Sequence, residues 1–239
     1  MPDFAKTIHD WLGVSVTDEQ LAAFDQYAAE LAAWNQRFNL TTITELEQVR
    51  TRHFLDSLSC WLALGAAPGR LADVGTGAGL PGLPLKILQP GLPLTLIEAT
   101  AKKAGFLEHM VQVLRLKDVQ VLAARAEEAG QLPAERAAYD WAVARALAPL
   151  PVLAEYLLPL VRVGGRMLAQ KGREAAAELS AAQEAIRLLG GGPAQLLPAE
   201  VPGLDEERWL IVVEKVAETP AKYPRRPGMP SKRPLRADS

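Results

Sequence analysis

Three glycines at alternate positions stand between an apolar stretch and a predicted helix, in the segment 71–80, Leu-Ala-Asp-Val-Gly-Thr-Gly-Ala-Gly-Leu. Gly75, Gly77 and Gly79 would let the backbone turn sharply and approach a ligand where a Cβ would clash. The third glycine of the dinucleotide pattern G-x-G-x-x-G would fall at position 80, which is Leu80. No G-K-[ST] follows, so a phosphate-binding P-loop is excluded. The loop predicts a nucleotide-like ligand but does not by itself identify it.

Acidic residues near this loop point to an adenosine-containing ligand that carries an amino group. Asp73 lies two residues before the first glycine, where it could face an ammonium group directly or through water. Glu98 ends the second predicted strand, where an acid can accept both ribose hydroxyls, although strand ends are often polar without a ligand. Ala126 and Glu127 follow the third predicted strand, beside the expected adenine. Glu127 could equally be an ordinary acid at a helix N-terminus.

Basic residues at other strand ends are candidates for ligand or substrate contact. Arg145 ends the fourth predicted strand, at the sheet edge where ligands lie in open α/β folds. It could contact a cofactor carboxylate or a substrate phosphate, or be a surface arginine. Lys171 has the same placement after the fifth strand and is a weaker candidate. His53 could face the cleft, although a lone histidine is more often structural. Three histidines without ligand spacing and one cysteine, Cys60, predict no metal site.

Short apolar runs alternate with helical periodicity over most of the chain, which predicts a doubly wound, mainly parallel α/β sheet. The last two strands have no helix between them and predict an antiparallel hairpin at one edge. We expect a helical cap over 1–66, a ligand-binding core over 67–218 and a tail over 219–239. The predicted strands are 71–74, 92–97, 119–123, 141–144, 165–169, 195–199 and 209–216; the predicted helices are 17–35, 45–64, 80–88, 102–116, 152–160 and 174–189.

Composition and charge fit a single α/β domain with a basic tail. The chain has 239 residues, of which 49% are hydrophobic. The single cysteine suits a reducing compartment, and no signal peptide or membrane span is predicted, so we expect a cytoplasmic protein. The formal net charge is −2, yet 219–239 holds six basic residues and one acid, so it carries about +5 and the rest about −7.

The basic tail predicts a polyanionic partner, although a merely solvated tail is an alternative. Its five prolines predict an irregular chain that keeps the charges spread out. We expect Arg225, Arg226, Lys232 and Arg233 to contact that partner, together with His53 and Lys171. Because the pocket candidates all lie between Asp73 and Arg145, removal of the tail should leave cofactor binding unchanged. The alternative is that Tyr223 and the prolines pack against the domain, in which case removal would lower stability as well.

Several longer blocks resemble the RsmG (GidB) family of bacterial 16S rRNA guanine-N7 methyltransferases over nearly the whole chain. The Leu-Pro-Gly extension of the glycine loop and the tail block are the most specific parts of the resemblance. The matching blocks are Trp-Asn-Gln-Arg-Phe-Asn-Leu-Thr from 34, Arg-His-Phe-Leu-Asp-Ser from 52, Asp-Val-Gly-Thr-Gly-Ala-Gly-Leu-Pro-Gly from 73, Arg-Ala from 145, Leu-Ala-Gln-Lys-Gly from 168 and Lys-Tyr-Pro-Arg-Arg-Pro-Gly-Met-Pro-Ser-Lys-Arg-Pro-Leu from 222.

The resemblance implies a Rossmann-like class I methyltransferase fold and a methyl transfer from S-adenosyl-L-methionine to N7 of the guanine at nucleotide 527, in the 530 loop. The implied partner is 16S rRNA, as the 30S subunit or an assembly intermediate. Carried over by position, the cofactor-binding residues are Gly75, Leu80, Glu98, Ala99, Thr100, Ala126, Glu127 and Arg145, with Arg145 also expected to act in catalysis.

Two other functions share parts of this pattern. An NAD(P)-dependent oxidoreductase could use the same loop, but it would need a catalytic Tyr/Lys or His pair that the second half lacks. A ribosome-assembly or RNA-binding factor could keep the fold without activity. The intact set of Asp73, the three glycines and Glu98 argues against that second alternative.

Overall fold

A seven-stranded sheet with helices on both faces organises the computed structural model, which describes residues 3–235. The strand order is β3-β2-β1-β4-β5-β7-β6, and β7 is antiparallel to both of its neighbours while the other pairs are parallel. The strands are β1 (Leu71–Val74), β2 (Leu94–Ile97), β3 (Val119–Leu122), β4 (Tyr139–Arg145), β5 (Val161–Lys171), β6 (Gly191–Pro198) and β7 (Trp209–Lys215). The predicted sheet and its antiparallel edge hairpin are confirmed.

Helices cover both faces of this sheet. They are α1 (Phe4–Leu12), α2 (Asp18–Phe38), α3 (Leu46–Val49), α4 (Asp56–Leu58), α5 (Trp61–Leu64), α6 (Gly82–Leu88), α7 (Ala101–Val113), α8 (Ala126–Ala129), α9 (Leu150–Leu157), α10 (Ala175–Leu188) and α11 (Met229–Lys232).

Alternation along the strands divides the core into two clusters, one on each face of the sheet. In β1, Leu71 belongs to one cluster and Ala72 to the other; in β4, Trp141 and Ala142 are divided in the same way. The helices before β1, with α6 and α7, cover the first face. Helices α8, α9 and α10 cover the second face. The carboxyl ends of the central parallel strands are therefore left between two helical layers.

The helical cap contains one more helix, and is more broken, than the sequence predicts. Helix α1, which the sequence analysis missed, starts at Asp3, whose side chain accepts a hydrogen bond from the N–H of Ala5. The predicted continuous helix over 45–64 is wrong. It consists of α3, a π-helical segment Arg50–Leu55, α4 and α5. The wider π-helical turn buries His53, Phe54 and Leu55 together. Such insertions are frequent at functional sites.

The C-terminal segment packs against the second face instead of extending into solvent. Tyr223 and Leu235 are buried, and Glu155 of α9, which is fully buried, accepts hydrogen bonds from the Arg225 backbone N–H at 2.8 Å and from its guanidinium at 2.6 Å. Arg136 donates to the carbonyl oxygens of Thr219 and Tyr223. A buried acid and a set of backbone carbonyls therefore hold the described part of the tail against the domain, although most of it is irregular. Arg236 lies outside the described residues.

Candidate functional site

A cavity of about 460 Å³ lies at the carboxyl ends of β1 to β4, where the two helical layers leave the strand ends uncovered. Its floor is the glycine loop, and its walls come from the cap, from the turns after β2 and β3, and from the segment after β4. The lining residues are Leu40, Thr41, His53, Gly75, Thr76, Gly77, Ala78, Leu80, Ile97, Glu98, Ala99, Thr100, Lys103, Ala124, Arg125, Ala126, Glu127, Arg145, Ala146, Leu147 and Tyr156.

The three glycines of the loop are required for two different reasons. All have positive φ angles: 67° at Gly75, 61° at Gly77 and 95° at Gly79. A Cβ on Gly75 would lie 2.5 Å from the Leu147 side chain, and one on Gly79 would lie 2.9 Å from the Tyr27 hydroxyl. A Cβ on Gly77 would meet no atom closer than 4.0 Å. Gly77 thus leaves open the space that a ligand would occupy, while its two neighbours pack against protein.

Asp73 supports the loop from below and does not line the cavity. Its Oδ2 accepts hydrogen bonds from the Thr76 hydroxyl at 2.5 Å and from the N–H of Gly82, the first residue of α6, at 2.8 Å. Its Oδ1 is buried and has no hydrogen-bond partner within residues 3–235. Burial raises the pKa of Asp73 to about 6. The expected contact between Asp73 and a ligand ammonium stays a prediction.

Glu98 connects the glycine loop to the turn after β2. The carboxylate is 6% exposed and accepts hydrogen bonds from the Gly77 N–H at 3.0 Å and from the Thr100 N–H at 2.8 Å. Each carboxylate oxygen can accept a further hydrogen bond. A buried carboxylate with unused acceptor capacity, at the edge of the cavity and one strand from the loop, suits a ribose with two neighbouring hydroxyls.

The wall on the side of β3 is joined to the C-terminal segment. Glu127 is 2% exposed, and its Oε1 accepts a hydrogen bond from the Gly228 N–H at 2.8 Å. Tyr156, which also lines the cavity, has its hydroxyl 3.0 Å from the Ser231 hydroxyl. Two of the lining side chains are therefore positioned by the tail. This contradicts the basis for expecting cofactor binding to be independent of the tail.

Arg145 reaches from β4 into the cap. Its Nη1 donates to Asp56 Oδ2 at 2.8 Å and to the Arg52 carbonyl oxygen at 3.1 Å. Asp56 is 4% exposed and also accepts from Arg208 at 2.8 Å and from the Gln170 amide at 2.8 Å. Within the described residues, the other two guanidinium nitrogens of Arg145 donate to no protein atom. The side chain is held at one nitrogen and remains available to a ligand at the others.

His53 is a neutral, hydrogen-bonded residue of the cavity wall. Its Nδ1 is 3.2 Å from the Arg52 carbonyl oxygen, which can only accept, so Nδ1 carries the proton. Nε2 then accepts from the Thr41 hydroxyl at 2.8 Å, and that hydroxyl oxygen accepts from the Ile43 N–H. Burial, followed by the nearby Arg145 charge, lowers the pKa of His53 to about 4.

The structure brings most of the predicted site residues to this cavity, but not all of them. Gly75, Gly77, Leu80, Glu98, Ala99, Thr100, Ala126, Glu127, Arg145 and His53 line it, whereas Asp73 and Gly79 lie behind it. Lys171 points elsewhere, donating to the Ala148 carbonyl oxygen and pairing with Glu178. Arg225 is bound to Glu155, while Arg226, Lys232 and Arg233 are exposed. The RNA contacts expected of these residues stay predictions.

Sequence reasoning missed several residues of the site. Thr41 forms the hydrogen bond to His53 and is the last residue of one of the family blocks. The sequence therefore marked Thr41 as part of the family pattern but did not indicate that His53 is its partner. Tyr156 lies on a buried helix and Lys103 on a half-exposed one, and sequence periodicity does not mark either position as part of a cavity. Ala146 has a φ of 51°, an uncommon conformation for a residue with a Cβ, directly after Arg145. No local pattern marks Asp56 as the residue that accepts hydrogen bonds from Arg145, Gln170 and Arg208.

Within residues 3–235 the chain has neither a candidate membrane span nor a candidate metal site. No helix there is both long enough and apolar enough to span a bilayer. No group of three or more histidine, cysteine or acidic side chains there is arranged to hold a metal ion.

Comparison with known proteins places this chain in a family. Residues 20–201 match the GidB family, described as rRNA small subunit methyltransferase G. The chain is 51% identical to the ribosomal RNA small subunit methyltransferase G of Roseiflexus castenholzii, over 98% of this chain and 100% of that protein. It is 48% identical to the protein of the same name from Chloroflexus aggregans, over 93% of each chain.

A solved structure described as a predicted O-methyltransferase from Agrobacterium tumefaciens has the same fold at low identity. The TM-score is 0.53 at 18% identity, covering 68% of this chain and 81% of that one. The class I methyltransferase fold expected from the sequence is confirmed. The match over residues 20–201 and the near-full-length relatives show that this chain belongs to the GidB family, the rRNA small subunit methyltransferase G proteins.

Proposed function

We propose that this protein methylates N7 of the guanine at nucleotide 527 of 16S ribosomal RNA. It is a methyltransferase that uses S-adenosyl-L-methionine. Relatives with about 50% sequence identity are named as methyltransferases of small-subunit rRNA, which supports rRNA as the class of substrate. The nucleotide and the atom follow from the resemblance of the sequence blocks and are part of the proposal.

One observation carries the proposal, the open space above Gly77 beside the buried Glu98 carboxylate. A left-handed glycine that no atom approaches is a cradle that any side chain would fill. Glu98 would accept from the ribose hydroxyls, Ala126 and Glu127 would lie beside the adenine, and Leu80 would pack against the ligand. Ala99 and Thr100 form the turn that holds Glu98 in place. These residues fit an adenosine-containing cofactor.

The cofactor, when bound, supplies a methyl group activated by a positively charged sulfur. Guanine N7 has an in-plane lone pair and no proton, so the acceptor needs no general base. The task of the chain is therefore to align the two reactants, and orientation alone can supply roughly 7–11 kcal/mol. Arg145 is placed for this role, because Asp56 and the Arg52 carbonyl oxygen fix one end of its guanidinium.

The RNA would approach from the open side of the cavity. His53 and Thr41 lie on the cap wall. The exposed Arg226, Lys232 and Arg233 flank Gly228 and Ser231, the tail residues that contact the opposite wall. These cations fit a phosphate backbone, and an unpaired loop would allow the guanine to be presented. We infer a cytoplasmic enzyme whose partner is the 30S subunit or its assembly intermediate.

Mass mapping of 16S rRNA tests the proposal in cells. RNA from cells without the gene should lack one methyl group on the fragment containing nucleotide 527, and the gene should restore it. A Gly77→Val gene is the matched control and should not restore it. An unchanged fragment after deletion would contradict the proposed function.

A further inference from the structure

An exposed aromatic and basic surface borders the cavity on the cap side. It comprises Arg37 and Phe38 at the end of α2, and Lys102 and Lys103 in the first turn of α7; we call it the α2–α7 surface. Lys103 lines the cavity, as does Leu40, two residues beyond Phe38. The surface therefore continues directly from the cavity wall.

The cations of this surface are not neutralised by the protein. Arg37, Lys102 and Lys103 form no salt bridge within residues 3–235, and Arg37 and Lys102 are exposed. Glu30, the acid nearby on α2, is bound to His109. Outside its tail the chain carries about −7, so three unpaired cations together are unusual for it.

Helix α7 carries these lysines at an unfavourable place. The first turn of a helix favours negative charge, yet the first turn of α7 has two lysines and no acid. The Glu98 carboxylate accepts from the Thr100 N–H just before this turn, but the positive end of the helix still repels the two added ammonium groups. This arrangement destabilises the free helix and favours an anionic ligand.

Phe38 gives the surface a second kind of contact. Its ring is half-buried and lies outside the hydrophobic core of this face. The Arg37 guanidinium carbon is 5.6 Å and the Lys102 ammonium 5.9 Å from its centroid, and Trp34 supports it at 5.3 Å. An aromatic ring among cations is the arrangement that binds single-stranded nucleic acid, by stacking a base and holding its phosphates.

We propose that the α2–α7 surface binds unpaired nucleotides of the substrate RNA that flank the target guanine. The surface lies with the first-face helices, whereas the basic tail residues lie with the second-face helices. The cavity is between them, so the strand would cross its mouth with contacts on both sides. This inference rests on the proposed function, since it assumes an RNA substrate.

The test measures affinity for a fluorescein-labelled hairpin carrying the 530-loop sequence at several salt concentrations. The Arg37→Ala/Lys102→Ala variant should reduce the slope of log affinity against log salt by about 1.4, since each single-strand phosphate contact contributes about 0.7. The control Lys117→Ala/Arg187→Ala has the same net charge. Both residues are exposed and neither lines the cavity: Lys117 lies just before β3, and Arg187 lies in the last turn of α10. The slope of this control should equal that of the wild type.

The stacking contact is tested separately. Phe38→Ala should weaken RNA binding by roughly 5- to 150-fold without changing the salt slope, and Phe38→Tyr should retain affinity. All variants should bind S-adenosylhomocysteine as the wild type does, which shows that they are folded. This inference alone would be overturned if the wild-type protein methylates 30S particles but the α2–α7 surface variants bind RNA with the same affinity and salt slope as the control. A wild type that neither binds nor methylates RNA would overturn the proposed function as well.

Discussion

Arg225 is the residue for which the structure most changes the expectation from sequence. The sequence places it among basic residues that contact RNA, but in the fold it neutralises Glu155. That carboxylate is fully buried and accepts from three nitrogens of Arg225, at 2.8 Å, 2.9 Å and 2.6 Å. We predict that Arg225→Ala destabilises the protein before it affects any RNA contact.

The magnitude follows from the charge left behind. Removing one partner of a buried ion pair costs about 3–5 kcal/mol, because the other charge stays buried without compensation. For a chain of this size, each kcal/mol lowers Tm by about 2–4 °C, so the expected decrease is roughly 6–20 °C. Arg226→Ala is the matched control, since that side chain is exposed and forms no salt bridge within residues 3–235. It should change stability by less than about 0.5 kcal/mol.

Denaturant unfolding, followed by tryptophan fluorescence, measures both variants. Replacing Glu155 with Gln in the Arg225→Ala background should recover part of the loss, because the unpaired charge is gone. Equal midpoints for Arg225→Ala and Arg226→Ala would refute the reasoning.

Three further predictions follow from the site. Gly77→Val should abolish S-adenosylhomocysteine binding in calorimetry, because the valine side chain would fill the open space above the loop. Gly91→Val is the control, since a Cβ at Gly91 would meet no atom, and it should bind normally. Wild-type affinity in the Gly77→Val variant would contradict the proposed cofactor site. Arg145→Ala should lower methylation by orders of magnitude with a smaller effect on cofactor affinity, and single-turnover assays that find normal rates would make it a structural arginine. The folded pKa of His53, about 4, lies below its unfolded value of about 6.5, so the stability that neutral His53 contributes is complete above pH 6.5 and is lost as pH falls towards 4. The wild type should therefore lose about 2–3 kcal/mol of unfolding free energy from this group between pH 7 and pH 4.5, and His53→Gln should not show that loss. Parallel wild-type and variant curves in pH-dependent unfolding would contradict this.

The tail also links folding to the ligand site. Truncation before residue 219 removes Gly228 and Ser231, the partners of Glu127 and Tyr156, so cofactor affinity should fall together with stability. This replaces the expectation that cofactor binding is independent of the tail.

The parts of the fold that could be predicted are those set by local pattern. Continuous apolar runs such as 141–144 mark strands buried on both faces, and glycines spaced by two mark a loop that only glycine can form. The positions after these strands then follow from topology, because parallel strands end at one edge. That is why Glu98, Ala126 and Arg145 line a single cavity.

The remaining features depend on partners that are far apart in sequence. Asp56 joins the cap to Gln170 and Arg208, more than 100 residues away, and nothing beside Asp56 indicates those partners. The π-helical turn at His53 is set by what it packs against, since its residues also fit an α-helix. Arg225 looked like one of several tail cations, because its buried partner Glu155 lies 70 residues earlier.

The central claim is that the cavity transfers a methyl group to N7 of guanine 527. The most direct measurement incubates purified protein with 30S particles from cells lacking the gene and S-adenosylmethionine carrying a labelled methyl group. N7-methylguanine makes the RNA chain sensitive to cleavage after borohydride reduction and aniline treatment. We predict one new cleavage at nucleotide 527 with the wild-type protein and none with Gly77→Val protein. In RNA that has not been cleaved, the label should be confined to nucleotide 527. Label on another nucleotide, or label at 527 without induced cleavage, would contradict the account.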